Sequence, residues 1–370
     1  MQYQNVCVEA FGYTLPDEVV TSEAIEQRLE PLYERLRLPP GRLELMTGIG
    51  QRRFWPPGTL PSQISVQSAE QALAAAGLDK RHVGALVHGS VCRDHLEPAT
   101  ACGVHHRLGL PRQCMIYDVS NACLGLLNGV VQVANMIELR QIRAGVVVGT
   151  ESSRGLVDNT IETLNRDESL TRRRVKLAVA SLTIGSGSCA VVLVDRRLSR
   201  TGNRLIAAAV QANTDFHALC HSGADEAMAA GMRPLMQTDS ERLMHEGVAT
   251  GAETFKVLLD EAGWTAGDVD KTFCHQVGAT HRRLTFEAFG LDLGIDFETL
   301  PRLGNTGSVA LPITMALGVE RGRLEKNDRV AMLGIGSGIN SLMLAVRWQK
   351  SLVATGYSAS VTRRTMSGSK

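Results

Sequence analysis

The sequence predicts an α/β protein in which helices cover both faces of a buried, mainly parallel sheet. Three observations predict this class. Short apolar runs alternate along the chain with longer segments of helical periodicity. The apolar runs contain few polar positions, which is typical of strands that are buried on both faces. The tetrapeptide Ile-Gly-Ser-Gly occurs twice, at residues 184–187 and 335–338, each time before an apolar run.

Nine apolar runs are predicted to be strands, and four periodic segments are predicted to be helices. The strands are residues 5–11, 85–91, 115–120, 144–149, 189–195, 204–211, 271–276, 329–335 and 341–348. The helices are residues 64–76, 124–139, 239–262 and 311–321. Residues 154–176 are charged and irregular, and we interpret them as an inserted surface excursion with some helix.

The repeated tetrapeptide indicates two similar halves. We interpret each copy as the turn between a strand and the final strand of its half. The boundary is placed near residue 200, because residues 196–204 are polar and basic. The prediction is an N-terminal half at 1–200, a C-terminal half at 201–348, and a mobile tail rich in Ser, Thr and Arg at 349–370.

Composition argues against several functional classes. Lys and Arg total 39 against 38 Asp and Glu, and only 4% of residues are aromatic, so a nucleic-acid binder is not expected. No uninterrupted apolar run is long enough for a membrane span, and the first residues lack the pattern of a signal peptide. The eight cysteines contain no CxxC pair. We therefore expect a cytoplasmic protein with reduced thiols and no metal site.

Three residues could carry chemistry. Cys123 follows a predicted strand and a turn of small residues, and it opens an apolar helix, whose N-terminus favours a thiolate. His275 ends another predicted strand, and Asn305 lies in a Gly-rich loop. Taken singly, they also fit a buried cysteine, a core histidine and a turn or N-cap asparagine. Together, at strand-to-helix loops of both halves, they suit acyl transfer by a thiolate nucleophile.

Five motifs occur in the order in which one superfamily carries them. By these motifs the sequence resembles the thiolase superfamily, specifically its ketosynthase III-like condensing enzymes. The resemblance implies the thiolase fold, with two pseudo-repeated βαβαβαββ halves in five α-β-α-β-α layers, and a homodimer. The motifs are Thr47-Gly48-Ile49, Asn121-Ala122-Cys123, His275-Gln276, Gly304-Asn305-Thr306-Gly307 and Gly336-Ser337-Gly338.

The resemblance also implies a role for each site residue. Cys123 would accept the acyl group of the first substrate. His275 and Asn305 would hold the thioester carbonyl of the second substrate and stabilise its enolate. Backbone N–H groups of Cys123 and of the turn that contains Ser337 and Gly338 would form the other oxyanion hole.

Coenzyme A thioesters are expected as substrates, with no further cofactor. Arg52 and Arg53 follow the Thr-Gly-Ile motif, where the family places CoA-binding groups, and they are the predicted CoA-binding residues. Met46 departs from the pattern, since many ketosynthase III enzymes carry Arg there. An acyl carrier protein stays open as a second partner.

Glu97 is the position that separates two kinds of condensing enzyme. In fatty-acid ketosynthase III enzymes the matching residue is typically apolar and lines the neighbouring subunit's acyl pocket. Here it is a carboxylate, which resembles the thiolases that join two fatty acyl-CoAs head to head in bacterial olefin biosynthesis. Condensing two plain thioesters requires removal of a weakly acidic α-proton. The resemblance therefore implies that Glu97 is the base and reaches the site across a dimer interface, although Glu97 alone also fits a surface residue before proline.

The sequence thus predicts an acyltransferase that condenses two long-chain fatty acyl-CoAs without decarboxylation to a 2-alkyl-3-oxoacyl product. A decarboxylative 3-oxoacyl-ACP synthase III, using malonyl-ACP or malonyl-CoA, stays open as an alternative, as does a ketosynthase III-like polyketide or acyl-transfer enzyme. Two further alternatives belong to other classes. A thiol hydrolase would need only Cys123 and His275, and a non-catalytic binding protein would leave Cys123 unreactive.

Overall fold

The computed structural model describes residues 1–222 and 236–353, and its centre is a mixed sheet of nine strands. Two short two-stranded sheets flank it. The strands of the described ranges are β1 (Val6–Thr14), β2 (Glu18–Thr21), β3 (Gln51–Phe54), β4 (Val83–Gly89), β5 (Met115–Val119), β6 (Ala144–Glu151), β7 (Gly187–Asp195), β8 (Arg204–Ala212), β9 (Cys220–Ser222), β10 (Met236–Thr238), β11 (Lys271–Cys274), β12 (Arg329–Gly336) and β13 (Asn340–Arg347).

Helix ends carry ordinary stop and start signals. Pro61 occupies the first turn of the helix at Pro61–Ala76, and Gly77 follows it in the left-handed conformation. The helices of the described ranges are α1 (Ser22–Arg28), α2 (Glu30–Leu36), α3 (Arg42–Thr47), α4 (Pro61–Ala76), α5 (Thr100–Leu108), α6 (Gly125–Glu138), α7 (Arg154–Arg166), α8 (Arg172–Leu182), α9 (Ser240–Ala262), α10 (Ala279–Phe289), α11 (Leu300–Leu303) and α12 (Ala310–Glu320).

The nine-stranded sheet consists of two half-sheets with the same internal order. The N-terminal half-sheet runs β5-β4-β6-β7-β1, and the C-terminal half-sheet runs β11-β12-β13-β8. Asp296 forms a single parallel bridge with Thr272 of β11. It occupies the position that the complete strand β5 has in the N-terminal half-sheet. The half-sheets meet where β1 pairs antiparallel with β8, at Cys7 and Arg204. Residue 200 lies in the loop between β7 and β8.

The predicted five-layered α-β-α-β-α arrangement is confirmed. Helices α4 and α5 pack on the outer face of the N-terminal half-sheet, and α9 packs on the outer face of the C-terminal half-sheet. Helices α6 and α12 lie between the two half-sheets. One buried apolar cluster joins Val130 of α6 and Ile313 of α12 to Val147 of β6 and Leu342 of β13. The faces of α6 and α12 that enter this cluster are therefore apolar.

The prediction of a mainly parallel sheet is wrong. Only three neighbouring pairs of the nine-stranded sheet, β4–β5, β4–β6 and β11–β12, are parallel. The other pairs, including β6–β7 and β12–β13, are antiparallel. Helices on both faces make a strand apolar throughout, whatever its direction, so hydrophobic runs do not distinguish the two cases.

The first Ile-Gly-Ser-Gly copy also differs from its predicted setting. The second copy is the expected turn between two strands, β12 and β13, but helix α8 precedes the first copy. Helices α7 and α8 are inserted between β6 and β7, and this insertion is more helical than the charged sequence predicted. Its apolar residues Val157, Ile161 and Leu164 are spaced along one face of α7 and are buried.

Two other expectations concern a membrane-spanning helix and the C-terminal tail. In the two described ranges, no helix combines the length and apolar character that a membrane span requires. Of the predicted tail, only Gln349–Val353 are described, and the rest lies outside the described residues. The backbone N–H groups of Gln349 and Lys350 donate to Asn203 Oδ1, at 2.7 and 2.9 Å, and hold the chain against the body.

Gly334 tests the close approach of the central layer to the C-terminal half-sheet. A Cβ there would lie 2.6 Å from Leu342 O and 2.8 Å from Leu124 Cδ2. We expect Gly334→Ala to lower the free energy of unfolding by about 1–3 kcal/mol, because neither backbone nor core side chain can move away freely. Urea titration measures it. Gly267→Ala is the control, because its Cβ would approach only Thr265 Oγ1, at 3.8 Å. Equal stability of the two variants would contradict the close approach.

Candidate active site

Cys123 lies in the turn between β5 and α6, directly against the end of β12. The residue before it, Ala122, has a positive φ of 44°, which turns the chain sharply into the helix. A Cβ on Gly336 would lie 3.4 Å from Cys123 Cβ. The thiol-bearing turn of one half is thus in van der Waals contact with the Gly-rich turn of the other half.

Asparagine side chains hold these two turns together. Asn121 donates from Nδ2 to Asn128 Oδ1 at 2.8 Å, within the turn and the first part of α6. Asn340, the first residue of β13, donates from Nδ2 to Asn121 Oδ1 at 3.1 Å and to the Ser337 carbonyl at 3.0 Å. The amide side chains therefore fix the turn of Ser337 relative to the nucleophile turn. Sequence reasoning did not identify Asn340, because a polar residue at a strand start carries no distinctive signal.

The Cys123 thiol is protonated at neutral pH in this structure. Its pKa is raised to about 12. Burial is the largest cause, and neighbouring Cys220 and the carboxylate of Glu151 contribute to the same rise. The backbone N–H of Ser337, which hydrogen-bonds the sulfur, acts in the opposite direction. The backbone donors thus favour the thiolate, as expected for this turn, but desolvation opposes it more strongly.

His275 follows the last residue of β11 and is buried beside β12. Its backbone N–H donates to the Leu333 carbonyl at 2.9 Å. Neither ring nitrogen has a hydrogen-bond partner among the described residues. Burial, and then the nearby imidazole of His281, lower the pKa of His275 to about 3, so the ring is neutral and carries one N–H donor. A buried donor without a protein partner is suited to bind a ligand oxygen.

Asn305 is held by both its backbone and its side chain. Its N–H donates to the Thr183 carbonyl at 3.0 Å, and its carbonyl accepts from the Gly185 N–H at 2.8 Å. Its Oδ1 accepts from the Gly307 N–H at 3.0 Å. This bond fixes which end of the amide is the oxygen, so the other end, the NH₂ group, is a hydrogen-bond donor. A Cβ on Gly185 would lie 2.0 Å from Leu303 O. The first Ile-Gly-Ser-Gly copy therefore requires glycine for this close approach to the Asn305 loop.

Glu151 is a buried carboxylate that sequence reasoning missed. It is the last residue of β6, and it accepts hydrogen bonds from the backbone N–H groups of Val91 and Cys92 and from Ser308. It is also close enough to raise the pKa of Cys123. The one available signal was its position, since an acidic residue ends an otherwise apolar strand at the edge where α/β sheets bind ligands.

Glu97 lies apart from these groups, in the exposed loop between β4 and α5. This loop adjoins β5, which is the edge strand of the nine-stranded sheet. Three apolar side chains of the loop and of β5, those of Val91, Leu96 and Met115, are half exposed. An edge strand with exposed apolar residues around it has the character of an interaction surface.

The two predicted CoA-binding arginines are buried in β3. Arg52 is fully buried and donates to Ser22 Oγ at 3.1 Å, and burial lowers its pKa to about 10. Arg53 donates to the Pro16 carbonyl at 2.7 Å. Arg52 is therefore enclosed by the core, whereas Arg53 also lines a surface groove, and CoA binding by the two arginines stays a prediction.

A groove with a volume of about 1550 Å³ lies elsewhere, between the end of β1, α4 and the end of α12. Its lining does not include Cys123, His275 or Asn305. Within residues 1–222 and 236–353, no three His, Cys, Asp or Glu side chains are grouped as a metal ion would require. The candidate catalytic residues Cys123, His275 and Asn305 therefore lie outside this groove.

Two family patterns match the chain. The pattern described as "Thiolase, N-terminal domain" matches residues 45–182. The pattern described as "3-Oxoacyl-[acyl-carrier-protein (ACP)] synthase III C terminal" matches residues 259–348. The first range contains Cys123 and the second contains His275 and Asn305.

Relatives match over nearly the whole chain. It is 41% identical to an acyl-CoA:acyl-CoA alkyltransferase of Shewanella oneidensis, over 94% of this chain and 100% of that protein. It is 32% identical to an acyl-CoA:acyl-CoA alkyltransferase of Xanthomonas campestris, with the same two coverages. It is 28% identical to a β-ketoacyl-[acyl-carrier-protein] synthase III of Streptomyces coelicolor, over 91% of this chain and 95% of that protein.

Solved structures of OleA from Xanthomonas campestris have the same fold. One superposes with a TM-score of 0.88 at 32% identity, over 94% of this chain and 98% of the other. That structure carries a cysteine-to-alanine substitution, and others carry substitutions at one glutamate or at one histidine. The substituted glutamate precedes the substituted cysteine of OleA by 26 residues, and Glu97 precedes Cys123 by the same number.

The lowered pKa of His275 predicts loss of stability in acid. The unfolded chain takes up a proton near pH 6.5, but the folded chain takes it up only near pH 3, so stability is lost as pH falls between these values. His275→Asn is expected to remove about 1.4 kcal/mol per pH unit from this slope. Urea unfolding at pH 7, 6 and 5 measures it.

The control for this prediction is His106→Asn, because His106 is exposed and its substitution should leave the slope unchanged. Identical slopes for wild type and His275→Asn would show that folding does not change the pKa of His275. In that case burial would not keep the imidazole neutral below pH 6.5.

Proposed function

We propose that this chain, which belongs to the thiolase superfamily, joins two long-chain acyl-CoAs by a non-decarboxylative Claisen condensation. Within that superfamily the chain is related to ketosynthase III-like and OleA-like condensing enzymes. The product is a 2-alkyl-3-oxoacyl thioester, or the β-keto acid after hydrolysis. One observation carries the proposal: strand β12 adjoins both the Cys123 thiol, which the Ser337 N–H bonds, and His275, whose imidazole is neutral and unpartnered among the described residues.

The first step is acyl transfer to Cys123. The sulfur loses its proton as it attacks the thioester carbonyl of the first acyl-CoA, and the bond from that carbonyl to the CoA sulfur breaks. CoA leaves as the thiol and carries the proton. The N–H groups of Cys123 and of the turn containing Ser337 and Gly338 stabilise the developing oxyanion. The raised pKa of Cys123 favours attack in concert with proton loss over a resting thiolate.

The second step forms the carbon–carbon bond. Glu97 of a partner subunit removes an α-proton from the second acyl-CoA. The imidazole N–H of His275 and the NH₂ group of Asn305 donate to the enolate oxygen. The enolate carbon attacks the Cys123 thioester, the carbon–sulfur bond breaks, and the released thiolate recovers the proton from Glu97. Atoms balance without an oxidant, a metal or release of CO₂.

Three observations support a base supplied across a homodimer interface. Glu97 is exposed in the single chain, and its loop adjoins an edge strand with apolar residues in solvent. Its separation of 26 residues from Cys123 matches that of the substituted glutamate and cysteine of OleA. The relatives that match at 41% and 32% identity are named acyl-CoA:acyl-CoA alkyltransferases.

The second candidate is decarboxylative condensation with a malonyl donor. It is favoured by the ketosynthase III pattern of the C-terminal half and by the relative from Streptomyces coelicolor. Loss of CO₂ from a malonyl group generates the carbanion directly, so this reaction needs His275 and Asn305 but no base. The requirement for Glu97 and for a malonyl donor therefore separates the two candidates.

Substrate choice is the first test. Purified protein given myristoyl-CoA alone is expected to form the condensation product of two acyl chains, identified by mass spectrometry. Added malonyl-CoA or malonyl-ACP should not be required. Cys123→Ser is the control for background chemistry and should form no product. Carbon–carbon bond formation only in the presence of a malonyl donor would favour the decarboxylative candidate and refute the proposal.

Glu97→Gln should separate the two steps. Acylation of Cys123, read as a mass shift of the intact protein, should persist, because it does not use the carboxylate. Condensation should fall by about 10²–10⁴-fold with loss of the general base. Glu325→Gln changes an exposed glutamate elsewhere and should leave both steps unchanged. An undiminished rate of condensation in Glu97→Gln would eliminate Glu97 as the base.

A mixture of two inactive variants tests whether Glu97 crosses the interface. Co-expressed Cys123→Ala and Glu97→Gln chains are expected to regain condensation, since a mixed dimer contains one site with both Cys123 and a partner's Glu97. If Glu97 acted within its own chain, no subunit of the mixture would carry both groups. The mixture would then stay inactive.

A further inference from the structure

We propose that Glu151 is a positioning residue that ties the loop carrying Glu97 to the loop carrying Asn305, so that condensation depends on it more than acylation does. The inference rests on the proposed function for the roles of Glu97 and Asn305. Glu151 hydrogen-bonds neither the His275 imidazole nor the Asn305 NH₂ group, which are the proposed donors to the enolate. The proposed steps do not use its carboxylate.

The first set of contacts holds the start of the Glu97 loop. Glu151 accepts from the Val91 N–H at 3.0 Å and from the Cys92 N–H at 3.2 Å. Two more hydrogen bonds join this segment to the end of β6. Ser90 Oγ donates to the Thr150 carbonyl at 2.7 Å, and the Ser152 N–H donates to Cys92 Sγ at 3.3 Å. The loop that leads to Glu97 thus leaves the body of the protein at a point fixed by β6.

The second set of contacts holds the Asn305 loop. Ser308 donates to Glu151 Oε1 through its hydroxyl at 2.5 Å and through its N–H at 3.3 Å. A Cβ on Gly307 would lie 3.2 Å from Glu151 Cγ, so the side chain lies directly on the residue whose N–H orients Asn305. Ser308 Oγ also lies 3.1 Å from the Gly89 carbonyl, a second and longer acceptor at the end of β4.

The charge of Glu151 works against the nucleophile. Its carboxylate is one of the groups that raise the pKa of Cys123. A group placed to help acylation would have the opposite effect. Its donors are four neutral N–H and O–H groups from the two loops, which is the pattern of a structural clamp. Removal of the charge should therefore ease formation of the thiolate while it loosens the two loops.

Glu151→Gln provides the test, because it keeps the size of the side chain and removes the charge. Four donors would then face one carbonyl oxygen and an NH₂ group that is itself a donor. We expect condensation to slow by about 10–100-fold, since misplacement of reacting groups by less than 1 Å has effects of this order. Acylation of Cys123 should be unchanged or faster. Alkylation of Cys123 by iodoacetamide, followed against pH, should shift to lower pH.

Two further variants keep the result interpretable. Ser308→Ala retains the charge and removes one donor, so condensation should fall less and the alkylation profile should stay in place. Glu9→Gln is the matched control, because Glu9 is a buried carboxylate that holds Ser199, Arg200 and Thr201 at 2.6–2.9 Å, far along the chain from the site residues. It should change stability without separating the two steps.

Rates are expressed per folded protein, determined by thermal unfolding of each variant. Equal slowing of acylation and condensation in Glu151→Gln, or condensation at the wild-type rate, would overturn the proposal. If Glu151→Gln does not fold, Ser308→Ala alone decides through the same comparison of the two steps. A wild-type enzyme that condenses only with a malonyl donor refutes the proposed function, and the variants are then compared on that donor, so the two failures stay distinct.

Discussion

Close approach of the central helix layer to the C-terminal half-sheet is the constraint on which the site depends. Gly334 of β12 leaves no room for a Cβ, which would lie 2.8 Å from Leu124 Cδ2, and a Cβ on Gly336 would lie only 3.2 Å from Leu124 Cγ. With larger residues there, the turn of Ser337 would be pushed away from the thiol that its N–H now meets. The proposed oxyanion hole therefore requires tight packing between the central layer and the C-terminal half-sheet. This explains why groups from distant parts of the chain form one site.

The same packing sets the protonation state of each group. Removal of water disfavours every charged form, so it raises the pKa of the Cys123 thiol and lowers that of the His275 imidazole. Both side chains are consequently neutral at rest, which suits a site that must generate and hold negative charge only during reaction. The same desolvation disfavours a resting thiolate and imidazolium pair.

The sequence was informative where a residue type is required by geometry or chemistry. Apolar runs predicted the nine strands, and the repeated glycines marked close backbone approaches. Strand direction could not be predicted, because helices on both faces remove the alternation that would reveal it. Glu151 and Asn340 were missed for another reason: each acts through hydrogen bonds to residues far away in sequence, and nothing local to either position records those partners. The burial of Arg52 was likewise invisible, since a motif reports position along the chain and not depth in the fold.

Two glutamates, Glu151 at the junction and Glu97 in the exposed loop, illustrate why the proposed mechanism takes its base from a partner subunit. Glu151 is close to Cys123, but both of its oxygens are engaged by donors from two loops. A carboxylate that gave up those bonds to accept a proton would release the loops that position the other groups. Within residues 1–222 and 236–353, Glu97 is not engaged by such donors, and it is exposed to water. Transfer of Glu97 into an apolar acyl pocket of a partner subunit would increase its basicity at the moment the site is assembled. Under the proposed mechanism, assembly and activation of the base are therefore the same event.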